Sequence, residues 1–347
     1  MTFQWPDILT GLVQRRDLTS EQAAWAMGEI LSGNATPIQI AGFAVALRSK
    51  GESVEELAGL SQGMLQHATP INLDRESVDV VGSGGDRSHT VNVSTMAGIV
   101  AAAAGARVVK HGNRAASSAC GTADCLEALG VALTVPPAKQ GAILDQCGIV
   151  FLFAAAYHPA LRHAAPARSG LGIATTFNFL GPLANPARPR AQAVGVADAR
   201  MAALMADVMA ARGDRGLVFR GTDGLDELTT TTTSDVWVIG DGRVTRDTLD
   251  PRELGLVPAA PADLVGGDPA HNAGVVRQVM GGATGPVRDI VLLNAAATLL
   301  AYAGPRHDVP VAEQLRPQLV TAAAAIDSGA ALALVDRWAA ATQAALA

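Results

Sequence analysis

The sequence predicts an α/β protein, with a small all-helical N-terminal domain and a larger α/β domain whose mainly parallel central sheet is covered by helices. Three observations predict this class. The first 70 residues carry three helix-start signals. From Val78 onward, short β-branched runs alternate with helix-forming runs, which is typical of a parallel sheet. The chain has 347 residues, which is long enough for two unequal domains.

Composition limits the functional classes. The chain has 26 Lys and Arg against 32 Asp and Glu, a net charge of -6, which disfavours bulk nucleic-acid binding. Three cysteines, Cys120, Cys125 and Cys147, form no CxxC pair, and with no signal peptide they predict reduced thiols in the cytoplasm. The longest apolar run, residues 290 to 303, is interrupted by Asn294 and shorter than the roughly 20 residues of a membrane span, so no membrane association is expected.

The N-terminal helices are predicted from capping boxes. Thr19 with Gln22, Thr36 with Gln39, and Ser53 with Glu56 each match the pattern, so three helices should start there. The pattern does not separate a dimer contact from an internal core. We assign residues 1–72 to the helical domain, with part of 160–185 expected to join it, and residues 73–347 to the α/β domain.

Three strand-loop-helix junctions between residues 78 and 130 predict a site for a ligand with several phosphate groups. A strand at 78–81 ends in the glycine-rich segment 82–86, whose bare backbone amides suit an anion. A helix should begin next, with Ser94 or Thr95 as its N-cap. A buried strand at 106–109 then leads into a loop with cations, serines and glycines, residues 110–122. Neither a Walker sequence nor a dinucleotide GxGxxG occurs.

The remaining sheet elements are weaker predictions. Strands are expected at 131–135, 149–153, 193–196 and 216–220, a hairpin at 236–242, and helices at 123–129, 200–211, 271–279, 286–303, 311–326 and 331–346. Asn294 is expected to be a hydrogen-bonded buried amide rather than a ligand contact.

Two further sites carry charged side chains. Arg168 could bind a carboxylate with two hydrogen bonds, although a solvated helix face is the commoner role for such a residue. Asp226 and Glu227 could hold a hydrated magnesium ion or only begin a structural element. With a phosphate site elsewhere in the chain, magnesium is the preferred interpretation.

The chain resembles the anthranilate phosphoribosyltransferases of tryptophan biosynthesis. The resemblance lies in GSGGD, TVNVST, KHGNRAASS and GTAD, followed by HPALRHAAPAR, FNFLGPLANPA, DGLDEL and GPVRDIVLLNAA, and it spans nearly the whole chain in order. It implies a fold of the nucleoside phosphorylase/phosphoribosyltransferase type, a cytoplasmic homodimer through the helical domain, and magnesium, with two ions per subunit. The implied reaction transfers the phosphoribosyl group of phosphoribosyl pyrophosphate to the amine of anthranilate.

The resemblance also implies the site residues. Lys110, Asn113 and Arg168 would be catalytic, and Ser94, Asp226 and Glu227 would hold metal. Arg168 would bind the carboxylate of anthranilate, with Asn113 also on the acceptor and His111 and His158 lining its approach. The donor would be bound by Gly82, Gly85, Asp86, Thr90, Asn92, Val93, Ser94, Thr95, Lys110, His111, Gly112, Asn113, Arg114, Ala115, Ala116, Ser117, Ser118 and Thr122.

Two rival functions differ in their sequence requirements. A pyrimidine nucleoside phosphorylase shares this architecture, but KHGNR and the HPxxRH segment argue against it. A catalytically silent, nucleic-acid-binding relative should be basic and lack Arg168 or the Asp-Glu pair, whereas this chain is acidic and has both. A substituted anthranilate stays open as the acceptor. Arg87 replaces a frequent glycine of the resembled family, which could alter the donor loop.

Overall fold

A computed structural model of the protein describes residues 3–115 and 119–346. The chain divides into two compact units. The first comprises the chain up to Pro70 together with Ala154–Pro186, and the second comprises Ile71–Phe153 and Ala187–Ala347. Ala116, Ser117 and Ser118, which the sequence assigns to the donor site, lie outside the described residues.

The helices follow in chain order as α1 (Trp5–Val13), α2 (Ser20–Leu31), α3 (Pro37–Lys50), α4 (Val54–Gln66), α5 (Val93–Ala103), α6 (Thr122–Ala128), α7 (Pro137–Cys147), α8 (Ala154–Tyr157), α9 (Ala165–Leu171), α10 (Ala199–Ala211), α11 (Pro269–Met280), α12 (Pro286–Ala303), α13 (Val311–Asp327) and α14 (Ala330–Ala344). Short 3-10 turns lie at Pro159–His163, Thr176–Phe179, Pro251–Leu254 and Pro261–Leu264.

The first unit is helical because its helix starts are locally encoded. Thr19, Thr36 and Ser53 each accept a hydrogen bond from the backbone amide three residues later, and the side chain at that position bonds back, so all three predicted capping boxes are confirmed. The buried face of α3 consists of Ile40, Phe43, Ala44 and Leu47, as its i, i+3, i+4, i+7 spacing predicts.

The second unit contains one seven-stranded sheet in the order β3-β2-β1-β4-β5-β6-β7. The first five strands are parallel and the last two are antiparallel, so the predicted mainly parallel sheet and the hairpin are confirmed. The strands are β1 (Val78–Gly82), β2 (Val108–Gly112), β3 (Ile149–Phe153), β4 (Ala191–Gly195), β5 (Arg215–Gly221), β6 (Ser234–Gly240) and β7 (Arg243–Leu249).

Helix α12 of the second unit is both long and apolar. It is 18 residues long with a mean hydropathy of 1.2, which is sufficient by length and composition to cross a membrane. However, 67% of it is buried inside the protein, where it packs against α5, α13, β4 and β5. Asn294 lies in its buried interior and donates to Leu228 and Ile290 carbonyls, as expected of a satisfied amide. We conclude that α12 is a core helix.

Three sequence-based assignments are wrong. Residues 131–135 form no strand, because Pro136 and Pro137 follow at once and start α7, and Val131 and Val135 bury their side chains without strand pairing. The N-cap of α5 is Asn92 rather than Ser94 or Thr95, since the helix already starts at Val93. Strand β2 starts two residues later than predicted and extends to Gly112, so Lys110 lies on a strand and not in a loop.

Candidate active site

The donor-site candidates converge where the strand order of the sheet reverses. Strands β1 and β4 are neighbours, and their last residues, Gly82 and Gly195, lie side by side. The chain leaves β1 towards β2 on one side and leaves β4 towards β5 on the other, which creates the crevice where ligands bind in open α/β sheets. A Cβ atom on Gly82 would collide with the Asp226 carboxylate, and one on Gly195 would collide with the Asp226 backbone carbonyl. Both glycines therefore let Asp226 lie directly on the strand ends.

The loop after β1 has a backbone that favours glycine. Gly84 and Gly85 have φ of 70° and 88°, and the Gly84 amide donates to Asp226 Oδ2 at 2.6 Å. Arg87 and His89 also have positive φ, 61° and 51°, a conformation that side chains with a Cβ seldom adopt. The loop is therefore held in a less favourable backbone conformation at these two residues.

The carboxylate pair Asp226 and Glu227 is buried beside this loop, with 9% and 8% exposure. Burial, with the negative charge of Asp86, raises the pKa of Asp226 to about 7. Burial also raises the pKa of Glu227, and the neighbouring Asp226 adds to the effect, while Lys110 partly offsets it. The carboxyl groups of Asp86, Asp226 and Glu227 lie near a single ammonium group, that of Lys110. This site therefore has too little positive charge to balance its carboxylates.

A divalent cation fits this arrangement. Among the residues that the structure describes, no three His, Cys, Asp or Glu side chains are arranged to hold a metal ion by themselves. Magnesium does not require such a cage, because it keeps waters and is commonly bound by one or two carboxylates together with phosphate oxygens of a substrate. The residues present thus suit magnesium bound jointly with a phosphorylated ligand.

Lys110 lies deeper than its sequence position suggests. Its ammonium donates to the Val80 carbonyl and, at 3.2 Å, to Ser94 Oγ, and the residue is 1% exposed. Burial lowers the pKa of Lys110, while Asp79 and Glu227 counteract this effect. The side chain therefore connects β1 to the amino end of α5.

The amino end of α5 presents polar groups with different partners. Asn92 occupies the N-cap position of α5, but its side chain makes no capping hydrogen bond. Instead its Oδ1 accepts from Asn272 Nδ2 at 2.8 Å and its Nδ2 donates to the Cys120 carbonyl. The Ser94 backbone lowers the pKa of Glu227 slightly, against the larger effect of burial. The Thr95 hydroxyl is buried and has no hydrogen-bond partner within the described part of the chain. A ligand at this end would meet an incompletely satisfied helix start.

The third loop, which joins β2 to α6, is held by hydrogen bonds to Asp124 of α6. Its carboxylate accepts from the amides of Ala115 and Gly121 at 3.0 and 2.9 Å, and it also pairs with Arg114 at 2.7 Å. Arg114 pairs in addition with Glu127, which raises the pKa of its guanidinium. The charge of Arg114 is thus neutralised by α6, whereas Asn113 uses its Oδ1 to accept from the next amide. Thr122 is the first residue of α6.

The acceptor-site candidates His158 and Arg168 belong to the first unit. Arg168 lies on α9, is half-buried, and has its guanidinium 5.7 Å from the centroid of the Phe177 ring. Burial lowers the pKa of Arg168, and no carboxylate within the described residues forms an ion pair with it. His158 is 4% exposed and its Nε2 donates to the Ala184 carbonyl at 2.8 Å, while burial lowers its pKa.

Two residues near the site were missed by sequence reasoning. Asp79 lies within β1, is fully buried, and accepts from the His111 amide at 3.1 Å. A single carboxylate in an apolar strand was the available signal. Asn272 of α11 is bonded to Asn92, 180 positions earlier, and no local pattern reveals that pairing.

Comparison with known proteins matches nearly the whole chain. Residues 74–332 match the α/β domain model of a glycosyl transferase family, and residues 6–68 match the helical bundle domain model of the same family. The anthranilate phosphoribosyltransferase of Acidothermus cellulolyticus is 59% identical over 99% of this chain and 97% of its own. That of Thermobifida fusca is 57% identical over 98% of this chain and 97% of its own.

Solved structures extend the comparison. The crystal structure of anthranilate phosphoribosyltransferase from Thermus thermophilus superposes with a TM-score of 0.90 at 39% identity, covering 97% of this chain and 99% of that one. The Saccharomyces cerevisiae enzyme in complex with phosphoribosyl pyrophosphate and Mg has a TM-score of 0.88 at 25% identity, covering 98% of both chains. A variant of that yeast enzyme is bound to 4-fluoroanthranilate, with a TM-score of 0.85 at 25% identity and coverage of 98% and 99%. The chain described here belongs to the anthranilate phosphoribosyltransferase family.

Proposed function

We infer that this protein transfers the phosphoribosyl group of phosphoribosyl pyrophosphate to the amine of anthranilate, forming N-(5-phosphoribosyl)anthranilate and pyrophosphate in tryptophan biosynthesis. The observation that carries this function is the buried Asp226-Glu227 pair lying on Gly82 and Gly195 at the strand-order reversal. Its deficit of positive charge calls for a cation, and the surrounding loops offer amides to phosphates. Family membership supplies the chemistry.

For the donor, we propose three sets of contacts. The loop after β1 offers Gly82, Gly85, Asp86 and Thr90, the amino end of α5 offers Asn92, Val93, Ser94 and Thr95, and the segment from Lys110 to Thr122 completes the site. The buried ammonium of Lys110 supports this role through Ser94, since it donates to Ser94 Oγ. Lys110 would thus act by orienting the α5 start and adding positive potential under it.

For magnesium, Asp226 and Glu227 are the proposed ligands, and Ser94 Oγ is a third. When bound, magnesium would neutralise the negative charge that develops on the departing pyrophosphate. Two ions per subunit remain our proposal. Asp86 adds to the negative charge around Asp226 and so favours cation binding there.

For the acceptor, Arg168 is the proposed carboxylate ligand. Its guanidinium is partly desolvated and lacks an acidic partner among the described residues, so a bound carboxylate would supply the missing counter-charge. Asn113 is proposed to contact anthranilate from the third loop, and His111 and His158 to line the approach. The burial of His158 favours its neutral form, which suits an uncharged amine as neighbour.

The chemistry requires positioning more than activation. The amine of anthranilate is uncharged near neutral pH and keeps a lone pair, so the protein must place it and stabilise charge at the leaving group. We assign no general base, because the adjacent carboxylate of anthranilate can accept the amine proton. Binding that carboxylate through Arg168 therefore fixes both the nucleophile and its proton acceptor.

We also propose a cytoplasmic homodimer. The helical unit exposes Val13 and Ile38, with 75% and 84% of their surfaces accessible, and α1 packs beside α3. Apolar side chains exposed on neighbouring helices are suited to contact with a second copy.

The test follows anthranilate fluorescence with purified protein, magnesium and phosphoribosyl pyrophosphate. We expect a loss of fluorescence that requires donor, metal and Arg168, so that Arg168→Ala and a chelator each abolish it. If the signal persists without magnesium, the metal assignment is wrong. Consumption of thymidine with phosphate instead of anthranilate would indicate a nucleoside phosphorylase.

A further inference from the structure

The turn that carries Phe177 is fixed by a buried carboxylate. Glu52, which follows α3, has a fully buried side chain and accepts from the Thr176 hydroxyl at 2.6 Å. Thr176 is 2% exposed, so this hydrogen bond is made away from solvent. A short, charge-assisted hydrogen bond in a buried setting holds its partners strongly.

The same turn carries two arginine-aromatic contacts. The Arg48 guanidinium lies 5.3 Å from the centroid of Phe179, and the Arg168 guanidinium lies 5.7 Å from that of Phe177. Arg48 also pairs with Glu52 at 3.5 Å. The turn Thr176–Phe179 therefore contacts α3 and its following residues through Thr176 and Phe179, and supports Arg168 through Phe177.

Arg168 relies on Phe177 for its orientation. It is half-buried, and among the described residues no acidic side chain orients its guanidinium. A planar guanidinium binds a carboxylate with two hydrogen bonds only in a narrow range of orientations. The Phe177 ring restricts that orientation, because the guanidinium packs over its face.

We propose that the Glu52-Thr176 hydrogen bond holds Phe177 as a platform that orients Arg168 for the carboxylate of the acceptor. Glu52, Thr176 and Phe177 are thereby positioning residues for acceptor binding. This inference rests on the proposed function, and it adds a structural basis for recognition of aromatic amines that carry an ortho carboxylate. The Glu52-Thr176 hydrogen bond has no proposed role in binding phosphoribosyl pyrophosphate.

The experiment measures steady-state kinetics of the full-length protein for both substrates. Thr176→Val keeps the shape but removes the hydroxyl, Thr176→Ser restores it, and Phe177→Leu removes the platform directly. We expect KM for anthranilate to rise about tenfold in Thr176→Val and Phe177→Leu, the effect of losing one half-buried cation-π contact. KM for phosphoribosyl pyrophosphate should stay within about twofold, and Thr176→Ser should return KM for anthranilate close to the wild-type value.

Thr342→Val is the matched control for a buried threonine. Thr342 is 3% exposed in the second unit and accepts from the Ala132 amide at 3.0 Å, so its loss should affect stability without a selective change in KM for anthranilate. Unchanged KM for anthranilate in both Thr176→Val and Phe177→Leu would overturn the proposal, as would equal increases for both substrates. Phe177→Leu keeps the test decisive if Thr176→Val does not fold. Failure of the wild type to make product refutes the proposed function instead.

Discussion

Gly82 and Gly195 determine how closely Asp226 approaches the strand ends. A methyl group on Gly82 would displace the Asp226 carboxylate, and one on Gly195 would push against the Asp226 backbone, which cannot rotate away. We expect Gly82→Ala to weaken magnesium-dependent binding of phosphoribosyl pyrophosphate at least about tenfold with little loss of fold. Gly195→Ala should also lose about 1–3 kcal/mol of stability. Calorimetric titration measures the affinity for the donor, and urea unfolding measures the free energy of unfolding.

Gly274→Ala is the control for this pair. Gly274 lies on the exposed side of α11, and an added Cβ would meet nothing within 4 Å. Alanine there should leave donor binding unchanged and raise stability slightly, because it favours helix. Donor affinity in Gly82→Ala equal to that of Gly274→Ala would show that the position of Asp226 is not critical.

Asp214, just before β5, gives the protein a pH-dependent stability. Burial raises its pKa to about 6, although Arg212, Arg75 and Arg190 counteract this. The folded state holds the Asp214 proton more tightly than the unfolded state, whose pKa is about 3.9, so this contribution to stability is lost as pH rises from about 4 to about 6. The loss should reach on the order of 2–3 kcal/mol.

Asp214→Asn removes the titrating carboxyl group and tests the direction of this pH dependence. Relative to the wild type, the variant should become progressively more stable between pH 4 and pH 7, as measured by urea unfolding at each pH. A stability difference that does not vary with pH would mean that Asp214 is ionised as readily in the folded as in the unfolded protein.

Local structural signals could be predicted from the sequence, and long-range pairing could not. The capping boxes predicted the starts of α2, α3 and α4, because both partners of each box lie within four residues. Strand-like residues 131–135 have no pairing partner, and strand pairing is a long-range property that composition does not encode. For the same reason, the glycine-rich loop was evident from the sequence, whereas its contact with Asp226, 142 positions away, was not.

Helix α11 is hydrogen-bonded to the amino end of α5. Asn272 Nδ2 donates to Asn92 Oδ1, and Asn272 Oδ1 accepts from the Gly267 amide, both at 2.8 Å. The Gly266 amide, just before α11, also donates to the His89 carbonyl in the loop after β1. Asn272→Ala should release the start of α5 and raise KM for phosphoribosyl pyrophosphate about 2- to 10-fold, the equivalent of one hydrogen bond.

Steady-state kinetics with Gln278→Ala as control would measure this effect. Gln278 is exposed on the same helix. The acceptor should be unaffected, so KM for anthranilate is expected to stay at the wild-type value in both variants. An increase in KM for anthranilate of the same size as that for the donor would argue for a general loss of structure and against a specific contact.

Exposed aliphatic side chains occur in both units of the molecule, and three of those in the helical unit lie on two packed helices. In the helical unit, Ile38 and Val45 are seven residues apart on α3, so both lie on the side of the helix opposite its buried stripe. Val13 ends the adjacent helix α1. Exposure of three aliphatic side chains on packed neighbouring helices is costly in water, and the proposed contact with a second copy would reduce that cost.

Ile38→Glu should therefore convert a dimer of the 35.4 kDa chain into a monomer, because it would bury a carboxylate at the contact without a partner. Val320→Glu is the matched control, since Val320 is 72% exposed on α13 in the other unit and should leave the dimer intact. Light scattering coupled to size exclusion measures the mass of each. A monomeric wild type, or a dimer that survives Ile38→Glu, would refute this contact. In the monomeric Ile38→Glu background, Gly82→Ala should still weaken donor binding about tenfold. That result would show that each subunit carries its own donor site.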